Sequence, residues 1–395
     1  MDNFSGNKRN KVVNQLRVFR ELYLGTPMTK KELTNNTGLS TPTVTKVLAG
    51  LEKRHLIEER GRKDIPTGRK PTKYGLNNNS FYGLGVDLEI PDLRLAVYDL
   101  SRRRIATKGS YLDMDELQQN PADYITRTLS RELKDLIYHE DLGESSIIGA
   151  GIATSGIVKD GKFRPFSRFE SSSDIELKEP LEKELGFPTS FGNDVDLQLL
   201  SELDRLDPIS ESHHVAIYFS ARLSGKRSPT IRIGGSIAIG GEICRGAGGS
   251  AGEFGHMSIS TKNSDLPRTN CGNENCLESF VNAELEGNPR TSIPESIREV
   301  IEQKIKDLVF VFSPSLIIVD LEAFPEISEA VIEELKDFAS GLESTMGLEK
   351  IEIKEPLDKD RSATRGAVIN HFNNLLLNPN NFSALMQNNN PKSGR

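Results

Sequence analysis

The chain reads as an α/β protein with mixed sheets in two lobes, preceded by a winged helix-turn-helix. Three observations predict this. A helix, a tight glycine turn and a capped helix precede a basic hairpin in residues 1–80. From Phe81 hairpins give way to alternating strands and helices, the order of an α/β fold. Charge divides at the same place. Residues 1–80 carry nine Lys and seven Arg against seven acidic residues, a net of +9, while the remainder carries −16. A small basic head on an acidic body predicts that the head meets a polyanion and the body does not.

The 395 residues, 36% hydrophobic and 27% charged, suit a folded protein of two or three domains. The longest apolar run, Leu308 to Val319, has 12 residues with two Ser and a Pro, short of the roughly 18 that a membrane span needs. No apolar segment follows the first residues, so no secretory signal is expected. Three cysteines cannot all pair, which favours a reducing compartment. The expectation is a cytoplasmic protein, neither secreted nor membrane-bound.

In the head, Lys8 to Leu24 has apolar residues at helical spacing and is stopped by Gly25-Thr26-Pro27. Thr29 with Glu32 three residues on is a capping box for a second helix to about Thr37. Gly38-Leu39 turns the chain and Ser40 caps a third helix that tolerates Pro42 in its first turn. Val44, Val47, Leu48 and Leu51 face inward; Thr41, Thr43, Thr45 and Lys46 lie near the other face's N-terminal end. A second helix of this kind enters the major groove with its N-terminal side chains on base edges and phosphates. Leu56–Glu59 and Lys73–Leu76 predict a hairpin around a basic loop. There Arg69, between Gly68 and Lys70-Pro71, suits a narrow minor groove. Asn77-Asn78-Asn79-Ser80 reads as the linker, giving a head of residues 1–78.

The body, residues 79–378, should hold strands at Tyr82–Leu88, Asp92–Leu100, Ile105–Leu112 and Ile147–Val158, with a helix at Ala122–His139. Helix Val195–Leu206, strand His214–Ser220, helix Pro294–Phe312 and strand Leu316–Asp320 follow. Helix Ile327–Ala339, strand Ile351–Lys354 and helix Ser362–Leu377 complete it. Residues 379–395, rich in Asn, are expected to be a disordered tail. No internal repeat is strong enough to use.

The informative stretches are Asn193-Asp194, the loop Arg245 to His256 with five glycines around Glu253 and His256, and Cys271 to Glu278. A glycine-rich loop lets backbone approach a ligand closely. Together these segments resemble the ROK family (repressors, open reading frames and sugar kinases), specifically its transcriptional-repressor branch. The family signature R-G-x-x-G-x-A-G-E-x-G-H is matched from Arg245 to His256, and C-G-x-x-x-C-L-E from Cys271 to Glu278. The Gly-Arg-x-Pro wing ending, Gly68 to Pro71, is also typical of the repressors. The resemblance implies a winged helix-turn-helix followed by a two-lobed actin-like (ribonuclease-H-like) ATPase fold.

It also implies a hexose-like ligand held by Asn193, Asp194, Glu253, His256 and Glu278, with the backbone near Gly156. In the family's kinases the aspartate matching Asp194 deprotonates the attacked hydroxyl; taken alone, Asp194 could equally be a helix N-cap. The family's zinc site uses a His and three Cys. Here Thr269 stands where the first Cys belongs, leaving His256, Cys271 and Cys276. A closed zinc site has four N/S ligands, so either a weaker zinc or a metal-free loop is open.

The phosphate loops depart from the kinase pattern. After Asp87 stand Leu88, Glu89, Ile90, Pro91 and Asp92 in place of x-G-G-T-K. The second loop aligns with Thr230-Ile231-Arg232-Ile233-Gly234 and keeps only its last glycine, after what reads as an insertion, Arg222–Pro229. The nucleotide-side glycines are replaced by Val319-Asp320-Leu321-Glu322. Phosphoryl transfer needs close backbone contact with phosphates, so neither ATP nor catalysis is expected.

The expected function is a sugar-responsive DNA-binding regulator, a repressor released by a monosaccharide or derivative. It would be a homodimer or homotetramer on an inverted-repeat operator in double-stranded DNA. Three alternatives stand beside it: a sugar kinase with a fused DNA-binding head, a ROK regulator controlled by a protein partner, and a scaffold with a vestigial pocket.

Overall fold

The computed structural model describes residues 6–66, 68–159, 161–164, 174–206, 214–224, 230–260, 275–286, 293–358 and 363–388. It opens with α1 (Gly6–Leu24), β1 (Met28–Thr29), α2 (Lys30–Thr37), α3 (Thr41–Glu52), β2 (Ile57–Arg62) and β3 (Thr72–Leu76). The local signals act as read. Thr29 Oγ1 accepts from the Glu32 amide at 3.3 Å, and Glu32 returns the bond to the Thr29 amide at 2.8 Å. Gly38 ends α2 in the left-handed conformation, φ 67°, where a Cβ is disfavoured. Ser40 caps α3 through the Thr43 amide, and Val44, Val47, Leu48 and Leu51 are buried.

Next come β4 (Tyr82–Glu89), β5 (Asp92–Asp99), β6 (Arg104–Tyr111), α4 (Met114–Gln119), α5 (Pro121–His139) and β7 (Ile147–Thr154). Three short strands follow: β8 (Ile157–Lys159), β9 (Lys162–Arg164) and β10 (Ile175–Glu176). After them are α6 (Lys178–Leu185), β11 (Thr189–Asn193), α7 (Asp194–Leu206), β12 (Val215–Ser224), β13 (Thr230–Ile239), β14 (Glu242–Ile243) and α8 (Leu277–Leu285). The chain ends with α9 (Glu295–Phe312), β15 (Leu316–Asp320), α10 (Pro325–Met346), β16 (Glu352–Lys354), α11 (Thr364–Phe372) and α12 (Pro379–Asn388). No helix among the described residues is long and apolar enough to cross a membrane.

The chain forms two compact units, one of residues 1–153, 177–192 and 364–395, the other of residues 154–176 and 193–363. Their five-stranded sheets, β11-β7-β4-β5-β6 and β14-β13-β12-β15-β16, share one order: a meander of three strands, then two further strands beside its first. This duplication is topological and leaves no usable repeat in the sequence.

In the first unit α11 lies flush on the sheet because glycines make room. A Cβ at Gly85 or Gly151 would collide with the carbonyl of Thr364 or Ala367. The head, expected to end at residue 78, falls within this unit. Val18, Phe19, Leu22 and Tyr23 of α1 share one apolar cluster with Phe81, Tyr98, Leu100 and Phe372. Asn77–Ser80 is therefore a tight junction, with the Asn77 amide bonded to the Leu56 carbonyl at 3.1 Å. Arg102 donates to the Tyr23 carbonyl at 3.2 Å and lies 4.9 Å from the centre of its ring.

The expected disordered tail, residues 379–395, is corrected over its first ten residues. Residues 379–388 are helix α12, whose Phe382 is fully buried and 5.3 Å from the Phe19 ring. Asn378 caps it, accepting from the amides of Asn380 and Asn381 at 3.0 and 3.3 Å, and Pro379 opens it where no N–H is needed. Burying one such aromatic contributes roughly 1.5–3 kcal/mol. Residues 389–395 lie outside the described residues.

In the second unit, alternate residues of β12 serve two cores. Ile217, Phe219 and Ala221 join residues of α8, α9 and α10 in one cluster, while Ala216 and Tyr218 pack with Leu199 of α7 in another. Cys244 is half-buried against the first cluster.

Candidate ligand-binding site

Asn193 joins β11 to α7. Its Oδ1 accepts from the amides of Val195 and Asp196 at 2.9 and 3.2 Å, capping the helix. Its Nδ2 donates to the Gly156 carbonyl at 3.0 Å. Gly156 has φ 99° and interrupts the strand expected over Ile147–Val158, leaving β7 and β8. The cap role weighed for Asp194 thus belongs to its neighbour; Asp194 is the first residue of α7, with Oδ1 3.0 Å from the Val195 amide.

The glycine-rich loop reaches its place by close packing on β13. Gly246, Gly249 and Gly252 have φ of 65°, 78° and 94°. A Cβ at Gly252 would strike the Gly235 carbonyl, and one at Gly255 the Ile233 carbonyl. That approach delivers Glu253 and His256, whose Oε2 and Nε2 are 4.0 Å apart. From α8, Glu278 accepts the Ile233 amide through Oε2 at 2.9 Å. Asn282, one turn on, accepts from the Ile231 amide at 2.8 Å and donates to its carbonyl at 2.9 Å.

Gly156, Asn193, Asp194, Glu253, His256 and Glu278 all lie in the second unit. Burial pushes the Glu253 carboxyl up; His256 opposes this, while Asp194, Glu278 and Asp196 reinforce it. The His256 imidazole is raised by its hydrogen bond with Cys276, against burial, with Glu278 and Glu253 helping. Such a set of acceptors and donors suits adjacent hydroxyls, each unmatched buried partner costing about 1–3 kcal/mol.

Sequence reasoning missed Asp196, Ser236 and Arg245 as site neighbours. Asp196 is 6% exposed. Its Oδ1 accepts the Ser236 hydroxyl at 2.7 Å, and its Oδ2 lies 3.5 Å from Arg245 Nε. The signal was the Asp-x-Asp spacing, which puts both carboxylates on the first turn of α7.

Of the metal candidates, His256 and Cys276 are brought together, while Cys271, like Thr269, lies outside the described residues. Among the described residues no three His, Cys, Asp or Glu side chains are placed to hold an ion. The Cys276 thiol also caps α8, accepting from the Ser279 amide at 3.5 Å. A closed zinc site has four N/S ligands, of which the described residues supply His256 and Cys276.

The segments matched to the kinase phosphate loops have other work. Thr230–Gly234 lies in strand β13, paired with Ser220–Ser224, and its Ile231 and Ile233 amides are bonded to Asn282 and Glu278. Of the segment read as an insertion, Arg222–Pro229, Arg222 lies in β12 and is 8% exposed. Its Nε and Nη2 donate to Asp320 Oδ2 at 3.2 and 2.9 Å, and Tyr218 donates to the same oxygen at 3.0 Å. Burial works against the Arg222 charge, but Asp320 and Tyr218 outweigh it and raise its pKa. Gly225–Pro229 lies outside the described residues. In the first unit, the Asp87–Asp92 segment closes the β4–β5 hairpin, with Leu88 fully buried.

On the head, Thr41, Thr45 and Lys46 are exposed on α3, while Thr43 is half-buried and 2.9 Å from the Ser40 hydroxyl. Arg69 is exposed between β2 and β3. Lys63 at the start of that loop pairs with Glu32, whose carboxyl is pulled down to about 2 by this bond and those from Thr29.

The model of the ROK family matches residues 84–284. The chain belongs to the ROK family. It is 26% identical over 275 residues to the xylose repressor of Bacillus spizizenii, covering 69% of this chain and 66% of that one. It is 25% identical over 285 residues to the transcriptional dual regulator NagC of Escherichia coli, covering 70% and 64%. The match thus spans just under two thirds of these curated relatives. Among solved structures, a ROK family transcriptional regulator homologous to the E. coli MLC protein covers 96% of this chain and 100% of its own, TM-score 0.68, 18% identity. A ROK hexokinase from Thermus thermophilus covers 73% and 97%, TM-score 0.55, 18% identity. At these identities the structural likeness is one of fold: an α/β ROK fold shared by regulators and sugar kinases.

Proposed function

We propose that this ROK protein is a sugar-responsive DNA-binding transcriptional regulator without kinase activity, a repressor that a monosaccharide or derivative releases from its operator. The observation that carries the reading is the Arg222–Asp320 pair. Asp320 stands in the stretch that the resemblance matches to the nucleotide-side glycines of the family's kinases, and here it is a buried carboxylate paired with Arg222 of β12. The second-loop amides of Ile231 and Ile233 are likewise bonded to side chains. The carboxylate and amide set on α7, the glycine-rich loop and α8 meanwhile keeps the chemistry that grips hydroxyls. Repressors among the relatives support the same reading.

The head supplies the nucleic-acid end. Exposed Thr41, Thr45 and Lys46 at the start of α3 suit the major groove, and Arg69 suits the minor groove. A symmetric oligomer would read an inverted repeat with half-site centres about 34–36 Å apart, or a multiple. For release, sugar must bind the state with low DNA affinity more tightly, a coupling of about 1–3 kcal/mol.

The test is a thermal-shift screen of the full chain against monosaccharides and their phosphates, followed by operator titration with each hit. A ligand at 100 times its dissociation constant adds about 2.7 kcal/mol and should weaken operator binding. Stabilisation by no sugar would favour the vestigial scaffold. Operator affinity indifferent to every bound sugar would favour control by a protein partner, and sugar-dependent ADP release would restore the kinase.

A further inference from the structure

We propose that Asp196 is a positioning residue that latches the Arg245–Gly252 loop to the first turn of α7. The inference deepens the reading of this site as a sugar pocket and rests on that reading for its consequence.

Residues 246–252 are turns and bends, mostly exposed up to Ser250. Three of their glycines have φ above 60°, and the Ala251 amide closes the loop on itself by donating to the Arg245 carbonyl at 3.2 Å. The far end is fixed by the close approach of Gly252 and Gly255 to β13. At the near end the Cys244 amide donates to the Ile237 carbonyl at 2.8 Å, and the Arg245 side chain is held by Asp196, its Nε 3.5 Å from Asp196 Oδ2. Asp196 is itself pinned: its amide donates to the Asn193 cap at 3.2 Å and its Oδ1 accepts the Ser236 hydroxyl at 2.7 Å. A continuous chain of contacts therefore runs from Asn193 through Asp196 to Arg245, at the root of the loop that carries Glu253 and His256. The Arg245 side chain is 46% exposed and that of Asp196 8%. A buried carboxylate thus holds a more exposed guanidinium.

The latch holds only while Asp196 is ionised. Its surroundings are Asp194 on the same helix, Arg245 and Glu253 on the loop, and the Ser236 hydroxyl on β13. Burial raises its carboxyl to about 6, with the Asp194 charge adding and the Ser236 bond and Arg245 opposing. Lowering the pH from 8 to 5 thus removes the charge that attracts Arg245.

The test is amide hydrogen exchange of residues 246–252 in the full chain without sugar, corrected for intrinsic rates, at pH 5 and pH 8. Wild type should lose protection by several-fold on going to pH 5. Asp196→Asn, which keeps the Ser236 contact, should show the low value at both. Arg245→Gln, on the exposed side of the pair, should match it without threatening the core, and Arg245→Lys should restore much of the protection at pH 8. Equal protection in wild type and both neutral variants at pH 8 would overturn the latch. Because no sugar is present, that failure is distinct from a failure of the sugar-binding reading.

Discussion

Arg222 holds Asp320 by two hydrogen bonds to one carboxylate oxygen, at 3.2 and 2.9 Å, across the parallel pair β12 and β15. The residues are 98 positions apart, and both are nearly or fully buried. Charges in such a place persist only as partners.

Removing one partner should therefore be costly. Asp320→Ala leaves a buried guanidinium and is expected to lower unfolding free energy by about 3–5 kcal/mol. The double variant Arg222→Leu, Asp320→Leu should recover most of the loss. Urea denaturation measures both. A single variant as stable as wild type would remove the pair from the list of structural supports.

The C-terminal helix makes an equally direct prediction. Phe382 fills a site against Phe19, so Phe382→Ala should destabilise the first unit by about 3–5 kcal/mol. Ending the chain after Asn378 should do at least as much. Calorimetry of the full chain decides; an unchanged transition would mean that α12 does not support the head.

These two features mark where sequence was readable and where it was not. The Thr29–Glu32 capping box, the Gly38 turn and the Ser40 cap are signals within four residues, and each fold element they predict is present. Helix α12 was hidden by composition. Its flanks are Asn-rich, and only Phe382, Leu385 and Met386 mark an apolar face. The Asn378-Pro379 start was nonetheless a legible cap signal. The Arg222–Asp320 pair and the Asp196–Arg245 contact had no local signature, because they arise from strand and loop neighbours far apart in the chain. The candidate ligand residues from Asn193 to Glu278 were proposed from motif resemblance. The role of Gly156, as acceptor for Asn193, needed the backbone of β8.

Asp196 should also shape stability against pH. Its carboxyl titrates at about 6 when folded and near 3.9 when unfolded. Between these values the native state binds the extra proton, so stability is full below about pH 4 and falls as pH rises through 6. The loss is of the order of 3 kcal/mol. Asp196→Asn should flatten this part of the profile in denaturant titrations from pH 4 to pH 8. An identical slope in the variant would mean that another group carries it.

On DNA, Lys46→Ala should weaken operator and unrelated duplexes alike and lower the salt slope by about one, as for a phosphate contact. Arg69→Ala should instead reduce preference for A·T-rich flanks. Fluorescence anisotropy across a salt series measures both. Unchanged affinity and slope would take Lys46 off the binding surface, and unchanged flank preference would do the same for Arg69.

The decisive measurement is calorimetric titration of the full chain with ATP–magnesium, alone and after saturation with a sugar identified by thermal shift. On the proposed reading, sugar should bind and ATP–magnesium should give no saturable heat. Tight, stoichiometric ATP–magnesium binding, with turnover abolished by Asp194→Asn, would contradict the regulator reading and make the protein a kinase.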